Sequence, residues 1–455
     1  MSNALASPQA VDLTTLTAWD HDHVWHPFTD QADWLASEPL FIDRAEGVFL
    51  IDLAGRRYID GVSSLWCNLL GHRHPALDAA LRGQLDRIAH STLLGLTHEP
   101  AVRLARRLAE LAPPGLTRVF FSDSGATAVE VALKLAFQYW RQKNPPEPQR
   151  RLFLALDGAY HGDTLGDVSL GGVPRFHAMF GPLLFPTLRA PSPSAQNPTE
   201  SLQTIDRLLR EHPGQVAAVV LEPIVQCAAG IRVHPDGFLA QLAQLVRQHN
   251  TLLILDEVAV GMGRTGTLFA CQREGVSPDF LCLAKGLTGG YLPLAATLTT
   301  DAIHAAFTRP HAATPDPTFY HGHTYCGNPL GAAVALATLD TLLREHILER
   351  LPPRIDQLRR WLDRLRSHPH VAEARQAGLI AGIELVRDRS TRTPFDPSLR
   401  LGARVCLRAR HYGAILRPLG DVLVLMPPLV ISEAELEQLC SALEHALHDE
   451  LEALP

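Results

Sequence analysis

The chain has 455 residues, of which 46% are hydrophobic and 20% charged, and it carries a formal net charge of -7 at pH 7. This length exceeds a single core of ordinary size, so we expect two domains, or one large and one small. The acidic balance argues against nucleic-acid binding, which needs a basic surface, and no apolar run is long enough to cross a bilayer.

The cysteines and the N-terminal residues favour a cytoplasmic location. Seven cysteines are scattered along the chain without a C-x-x-C pair, which predicts free thiols in a reducing compartment. The first twenty residues lack the basic and apolar regions of a secretory signal. Twenty-two histidines are present, but no H-E-x-x-H or Cys/His ligand set occurs, so we predict no metal site.

Three regions of different character follow one another along the chain. Residues 39–64 alternate in polarity between turn glycines, which predicts a small meander that packs with the C-terminal unit. From residue 118 to about 300, short apolar runs alternate with helical stretches, as in a parallel sheet with crossover helices. The predicted strands are 118–121, 151–156, 216–221, 251–255, 279–284 and 292–299, and the clearest helices are 126–140, 237–248 and 331–345.

The last region predicts a smaller α+β unit. Amphipathic helices at 353–367 and 432–450 bracket strand-like pieces at 382–386, 414–417 and 422–426. The proline-rich, polar segments 141–150 and 186–200 of the central region predict surface loops. We therefore expect a large domain over residues 71–340 and a small domain over 341–455, with residues 1–70 part of the small domain.

A carboxylate and an amine stand at neighbouring strand ends. Asp256 directly follows the apolar run 251–255, and Lys285 follows the run 280–284. Ligands of open α/β sheets bind at the carboxyl ends of the strands, so both side chains are expected to face one crevice. A lysine there can bond covalently to an aldehyde cofactor, and a carboxylate can keep a pyridine nitrogen protonated. The pair predicts a pyridoxal phosphate (PLP) site.

Other polar residues at the same sheet edge could complete such a site. Gly125 and Ala126 begin a helix after the strand at 118–121, where backbone N–H groups can hold a phosphate; an ordinary helix cap is the alternative. Tyr160 could stack on a pyridine ring, or it could be a packed core tyrosine. Glu222 also ends a strand, and its role stays open.

Two later positions are candidates for anion binding. Thr324 lies in the loop His321-Gly-His-Thr-Tyr325 and offers a hydroxyl suited to phosphate, although a simple turn is the alternative. Arg417 precedes Pro418 and is therefore held extended. An arginine fixed in this way could clamp a carboxylate with two hydrogen bonds, unless it is an ordinary surface residue.

Gly261-Met-Gly-Arg-Thr-Gly266 matches the dinucleotide fingerprint G-x-G-x-x-G. It does not directly follow a strand, however, and no helix is expected to begin at Gly266. We therefore set a nicotinamide oxidoreductase aside as a weak alternative.

The phrase from Asp256 through GMGRTG to Lys285 resembles the signature of class III, fold type I PLP-dependent aminotransferases, and the resemblance extends from about residue 22 to 445. It implies an α/β fold with a mostly parallel seven-stranded sheet and a homodimer with shared active sites. Further phrases resemble family members that convert 8-amino-7-oxononanoate to 7,8-diaminononanoate in biotin biosynthesis. These phrases are WHPFT (25–29), SSLWCNLLGHRHP (63–75), SDSGATAVEVALKLAFQYW (122–140), YHGDT (160–164), HGHTYCGNP (321–329) and RPLGDVLVLMPP (417–428).

By this resemblance the catalytic residues are Lys285, Asp256 and Tyr160: a covalent lysine that also moves the proton, a partner of the pyridine nitrogen, and a ring-stacking group. Gly125 and Ala126 would hold the phosphate. The resemblance also assigns His323 and Thr324 of the other subunit to the phosphate. Gly322 and Arg417 would contact the keto acid, with Arg417 on its carboxylate, and Trp66 would line the pocket mouth.

Three positions depart from family members that use S-adenosylmethionine as amino donor. Leu65 replaces a tryptophan, and Phe28 and Val424 replace tyrosines. The loss of two hydroxyls and one indole weakens the case for a site shaped around a sulfonium group. We keep S-adenosylmethionine as the family default and L-lysine as the alternative donor.

Three further alternatives stay open at this point. One is another class III aminotransferase acting on ornithine, 4-aminobutyrate or a different ω-amine. The second is a PLP-dependent lyase or decarboxylase on the same fold. The third is a binding module in which the pairing of Asp256 with Lys285 is a coincidence.

Overall fold

A seven-stranded sheet with helices around it forms the larger part of the computed structural model, which describes residues 11–310 and 316–454. The strands in chain order are β1 Ile42–Glu46, β2 Phe49–Asp52, β3 Arg57–Asp60, β4 Leu116–Ser122, β5 Leu152–Leu156, β6 Thr187–Ala190, β7 Val216–Leu221, β8 Val225–Gln226, β9 Arg232–Val233, β10 Leu252–Asp256, β11 Phe280–Leu283, β12 Ala295–Thr300, β13 Val371–Ala377, β14 Ile380–Leu385, β15 Ala414–Ile415, β16 Arg417–Leu419 and β17 Val422–Leu425.

Right-handed α-helices occupy most of the segments between these strands. Their bounds are Leu13–His23, Gln31–Leu35, Pro75–Leu85, Glu99–Leu111, Gly125–Gln142, Leu165–Leu170, Pro174–His177, Glu200–Glu211, Phe238–Gln248, Asp301–Ala305, Pro329–Arg344, Pro352–Leu365, Leu401–Ala409 and Glu433–Glu452. Within the described ranges, no helix combines the length and the apolar character that crossing a membrane requires.

The large sheet has the strand order β4-β12-β11-β10-β7-β5-β6. Only β12 runs antiparallel to its neighbours, whereas β10 pairs in parallel with β11 and β7, and β5 with β7 and β6. The predicted α/β fold with a mostly parallel seven-stranded sheet is therefore confirmed. The sequence of strand β7 fits this fold. All six residues of VAAVVL are apolar and buried, as expected for a strand that is covered by helices on both faces.

The N-terminal meander and the C-terminal strands form two smaller sheets. Strand β3 pairs in parallel with β15, so the order β1-β2-β3-β15 joins the beginning of the chain to residues 414–415. The other sheet has the order β13-β14-β17-β16, and the helices Pro352–Leu365 and Glu433–Glu452 flank it in sequence.

One loop prediction was partly wrong. The proline-rich segment 186–200 contains strand β6, Thr187–Ala190, which pairs with β5 at the edge of the large sheet. Prolines before and after these four residues are tolerated because an edge strand has no neighbour on one side and the prolines lie outside the paired residues. The high proline content therefore led to a loop prediction where a short edge strand lies.

Candidate active site

The carboxyl ends of six parallel strands meet at one edge of the large sheet, and the predicted polar residues lie there. Strand β10 ends at Asp256, β11 is followed by Lys285, and β7 by Glu222. The loop at 123–127 follows β4, and Tyr160 lies four residues beyond the end of β5. The fold thus brings these residues to one edge of the large sheet, where ligands of open α/β sheets bind.

Asp256 is a buried carboxylate with a donor on each oxygen. Its side chain is 4% exposed, Oδ1 accepts a hydrogen bond from the backbone N–H of Val258 at 3.0 Å, and Oδ2 lies 2.8 Å from Nδ1 of His161. The His161 side chain is fully buried, and its Nε2 has no hydrogen-bond partner among the described residues. Asp256 and His161 thus form a buried hydrogen-bonded pair at the carboxyl end of β10.

Lys285 lies one strand away in a strained conformation. Asp256 pairs in register with Cys282 of β11, and Lys285 follows the end of that strand. Its φ of 24° lies in the left-handed region, which is unfavourable for a residue with a side chain. The ammonium nitrogen is 5.4 Å from the centroid of the Trp66 ring. Strand β11 therefore delivers the amine to the crevice beside an aromatic wall.

The loop after β4 leads into a helix N-terminus suited to an anion. Ser124 caps the helix Gly125–Gln142, and a capping box joins it to Thr127. A Cβ atom at Gly125 would lie 2.5 Å from Val258, so only glycine allows the helix start to approach the end of β10. The first backbone N–H groups and the helix dipole therefore form an anion site beside the end of β10, the strand that ends at Asp256.

Glu222 holds the backbone of the segment that carries Tyr160. Its carboxylate accepts hydrogen bonds from the N–H of Tyr160 at 3.2 Å and from the N–H of Cys227 at 2.9 Å. Burial raises the pKa of Glu222 to about 7, an effect that His161 partly offsets. The residue whose role the sequence left open thus positions a candidate catalytic segment.

Tyr160 stands in an aromatic row that ends at Arg417. Its ring centroid is 6.1 Å from that of Phe176, and Phe176 packs edge-on against Phe28 at 5.4 Å. Arg417 donates a hydrogen bond from Nη2 to the carbonyl of Phe28 at 3.4 Å and is itself exposed. Burial, with Asp163 as the next cause, raises the pKa of Tyr160 well above its ordinary value. The row joins two predicted site residues and adds Phe176, which sequence reasoning missed.

Trp66 reaches the crevice from a left-handed turn. Residues Ser63, Ser64, Leu65 and Trp66 have φ values of 50°, 48°, 66° and 75°. Each such residue costs roughly 1–2 kcal/mol relative to right-handed backbone. The carboxylate of Asp60 holds the turn, accepting hydrogen bonds from the N–H and the hydroxyl of Ser64, both at 2.8 Å. The strain leaves the Leu65 side chain exposed and the Trp66 ring buried beside the amine.

The loop at 321–327 presents its predicted residues outward. Gly322 and Thr324 are exposed, and Nδ1 of His323 lies 2.7 Å from Oδ2 of Asp123, in the loop after β4. Asp123, His323 and Cys326 bring three possible metal-ligand atoms within 4.8 Å of one another. The first two are already hydrogen-bonded to each other, and Cys326 accepts a hydrogen bond from the N–H of His323 at 3.1 Å.

The match to the dinucleotide fingerprint is a set of turns. Gly263 and Gly266 have φ values of 96° and 100°, and the next regular segment after Gly266 is the short 3-10 helix Ala270–Glu274. A pyrophosphate site of that type needs a helix N-terminus directly after the glycines. Residues 261–266 therefore do not form a nicotinamide site.

The chain resembles known proteins over nearly its whole length. Residues 31–447 match the family described as aminotransferase class-III. The chain is 54% identical over 442 residues to adenosylmethionine-8-amino-7-oxononanoate aminotransferase from Nitratidesulfovibrio vulgaris, covering 95% of this chain and 81% of that protein.

Solved structures are also similar over nearly the whole chain. The protein of the same name from Methanocaldococcus jannaschii has a TM-score of 0.93 at 41% identity, covering 96% of this chain and 99% of that chain. An amine transaminase from an uncultivated Pseudomonas species, in a PLP-bound form, has a TM-score of 0.89 at 34% identity and covers 94% of this chain and 98% of that chain.

Proposed function

Because the chain belongs to the aminotransferase class-III family, we propose that it transfers an amino group to 8-amino-7-oxononanoate and forms 7,8-diaminononanoate for biotin biosynthesis. The enzyme is a PLP-dependent transaminase. The observation that carries the substrate is the 54% identity over 95% of the chain to a protein named for that reaction. The row from Tyr160 to Arg417 supports it, because an apolar chain can lie along the rings with its carboxylate on the guanidinium.

The residues at the sheet edge fit PLP. When bound, this cofactor supplies an electron sink for proton transfer at the substrate carbon. The helix start at Gly125 and Ala126 offers backbone N–H groups to the phosphate. Asp256 already has a protein donor on each oxygen and keeps lone pairs free to accept the pyridine N–H, so its negative charge can hold that proton.

Two side chains act directly on the substrates in this proposal. Lys285 would take a proton from the carbon that bears the donor's amine, and in the second half of the reaction it would give a proton to the carbon of the keto acid that receives the amino group. Arg417 binds the keto acid's carboxylate and so orients its carbonyl toward Lys285. Tyr160 closes one side of the site, and Trp66 closes the mouth beside the Lys285 amine.

We propose S-adenosylmethionine as the amino donor and L-lysine as the alternative. Of the three positions that bear on this choice, Phe28 and Leu65 are exposed near the crevice. Val424 is 1% exposed inside the sheet of β13, β14, β16 and β17, so its side chain does not offer a surface to a donor. The decision therefore falls on Phe28 and Leu65.

The proposal includes a homodimer in which His323, Thr324 and Gly322 serve the partner's site. The loop at 321–327 packs against residues 89–94, with Asn328 donating to the carbonyl of Ala89 at 3.1 Å. Both segments expose large apolar side chains, among them Leu94 at 70% and Tyr325 at 62%. Such exposed apolar surface beside a site favours burial by a second copy. We place the reaction in the cytoplasm, in keeping with seven free cysteines.

A half-reaction experiment tests the reaction and the donor together. Holoenzyme is mixed separately with S-adenosylmethionine and with L-lysine, and the visible absorbance of the bound cofactor is followed. The true donor bleaches it, and addition of 8-amino-7-oxononanoate then restores it while 7,8-diaminononanoate appears by mass spectrometry. Lys285→Ala must abolish this cycle, and Arg417→Gln must raise the KM of the keto acid about tenfold or more with a smaller change in kcat.

The other outcomes separate the alternatives. Bleaching by ornithine or 4-aminobutyrate, with no product from 8-amino-7-oxononanoate, would assign the chain to a different ω-aminotransferase. Release of CO₂ or cleavage of the donor without restoration by any keto acid would indicate a lyase or decarboxylase.

A further inference from the structure

The arginine of the GMGRTG segment is buried among backbone carbonyls from two distant parts of the chain. Arg264 is 1% exposed. Its Nη2 donates to the carbonyls of Trp66 at 3.4 Å and Asn68 at 3.1 Å, and its Nη1 donates to the carbonyls of Met426, at 3.5 Å, and Pro427. One guanidinium therefore joins the end of the left-handed turn to the residues after β17.

The backbone of the same residue holds a third segment. The carbonyl of Arg264 accepts a hydrogen bond from the N–H of Leu379 at 3.0 Å, in the turn between β13 and β14. In that turn, a Cβ atom at Gly378, where φ is 62°, would lie 2.3 Å from the Arg264 carbonyl oxygen, so the two backbones touch. Met262 lies against Gly286, the neighbour of Lys285. The segment thus sits between the lysine, the Trp66 turn and the small sheet.

No carboxylate forms an ion pair with Arg264 within the part of the chain that the structure describes. Burial lowers the pKa of its guanidinium to about 10, which still leaves it charged at neutral pH, and its Nε has no partner among the described residues. Burial of a charge without an ion pair costs free energy unless hydrogen bonds satisfy its donors. Of the four carbonyls that it reaches, one belongs to Trp66, the last residue of the strained turn, one to Asn68 just beyond it, and two to the residues after β17.

We propose that Arg264 is a positioning residue that fixes the left-handed turn Ser63–Trp66 against the end of β17, and so sets how closely Trp66 approaches the Lys285 amine and how wide the pocket mouth is. The inference rests on the proposed function, since the mouth matters only if substrates enter there. Its planar fork reaches two carbonyl pairs at once, whereas a lysine has a single nitrogen to place.

The test combines Arg264→Lys with a glycine rescue. Arg264→Lys is expected to raise the KM of both substrates about tenfold with a smaller change in kcat. Hydrogen exchange of residues 63–68 in the holoenzyme without substrate is expected to rise, while residues 252–256 stay protected. Adding Leu65→Gly is expected to reverse the rise in exchange and in the KM of the keto acid, because Leu65 is exposed with a φ of 66° and glycine adopts positive φ without steric cost.

His346→Gly is the matched control. His346 also has a positive φ, 52°, but it lies after the helix Pro329–Arg344 and outside the mouth. It brings the same relief of backbone strain, so it should raise the thermal stability of the Arg264→Lys protein without restoring KM or exchange protection. Equal rescue by both glycines, or no rescue by Leu65→Gly, would show that Arg264 supports only general stability and would overturn the proposal.

Two further outcomes bear on the proposal. Unchanged KM and unchanged exchange at 63–68 in Arg264→Lys would overturn the proposal directly. If Arg264→Lys does not fold, Arg264→Gln is measured against the same criteria, because a glutamine amide cannot reach both carbonyl pairs at once. The exchange measurement needs no substrate, so it judges Arg264 even if the wild-type enzyme proves to use a different keto acid.

Discussion

Glu222 shows how a single buried side chain can serve a site without touching a substrate. Its two oxygens accept N–H groups from Tyr160 and Cys227. Glu257 is built in the same way, accepting the N–H groups of Ala270 and Cys271 at 2.6 and 2.7 Å. Burial raises the pKa of each carboxyl to about 7. The two residues therefore share chemistry but differ in what they hold.

This similarity gives a pH prediction with its own control. A carboxyl whose pKa rises from 4.5 to about 7 on folding adds stability below about pH 4.5, and that stability is lost as the pH rises through about 7. For each residue the full effect is about 3 kcal/mol at most. Glu222→Gln and Glu257→Gln should both flatten the fall in apparent Tm between pH 5 and 8. Only Glu222→Gln should also raise KM, because only Glu222 holds the Tyr160 backbone.

Thermal scans and steady-state kinetics on the three proteins check this. Parallel pH curves for wild type and both variants would contradict the assigned burial effect. Equal kinetic changes in the two variants would contradict the role of Glu222 at Tyr160.

At the same scale, the sequence predicted residues whose position follows from the sheet alone. Asp256 and Lys285 come directly after strands, so the carboxyl edge of the sheet brings them together whatever the loops do. His161 was passed over, although it follows Tyr160, because its contact with Asp256 spans 95 residues of sequence. Nothing local distinguishes such a histidine from one packed in the core.

The helix Gly125–Gln142 is the element that carries the proposed phosphate site. Its N-terminus has a capping box between Ser124 and Thr127. The helix Glu433–Glu452 begins with the same device, a capping box between Ser432 and Glu435, far from the sheet edge in sequence. Both serines are exposed. Substitutions of the two serines can therefore distinguish an effect on helix stability from an effect on anion binding.

Ser124→Ala and Ser432→Ala are therefore expected to differ in one respect. Each should destabilise its helix by about 1 kcal/mol, because an alanine cannot accept the free N–H of the first turn. Only Ser124→Ala should also weaken PLP binding, since the helix start it orders offers its N–H groups to the phosphate. Equilibrium titration of each apoprotein with PLP gives the affinity, and thermal scans give the stability. Equal PLP affinity in the two variants would contradict a phosphate site at this helix.

Helices and strands could be predicted where the spacing of apolar residues matches the repeat of the helix or strand. The buried strand β7 and the helix Gly125–Gln142 both follow from their apolar spacing. The left-handed turn Ser63–Trp66 does not, because part of what holds it lies far away in the sequence, such as the carbonyl of Met426 after β17, which accepts a hydrogen bond from the Ser63 hydroxyl. Non-glycine residues at positive φ carry no signal in a single sequence.

At the scale of the whole molecule, the proposed site is divided between the large sheet and loops that point away from it. Lys285 lies in the crevice of its own chain, whereas Thr324 is exposed on the loop beside the apolar surface around Leu94. If Thr324 serves the partner's phosphate, each active site of a homodimer needs residues from both chains. Two chains that are inactivated at different residues should then regain activity when they assemble into one dimer.

Complementation between Lys285→Ala and Thr324→Asp tests this directly. Lys285→Ala removes the amine, and Thr324→Asp places a negative charge against the phosphate, so each protein alone should have little activity. After mixing, unfolding and refolding together, half of the dimers are mixed, and each mixed dimer has one site with an intact lysine and an intact threonine. Activity should therefore return to about one quarter of wild type. Recovery that fails although mixed dimers are isolated would place Thr324 in its own chain's site, and a fully active monomer would remove the dimer from the proposal.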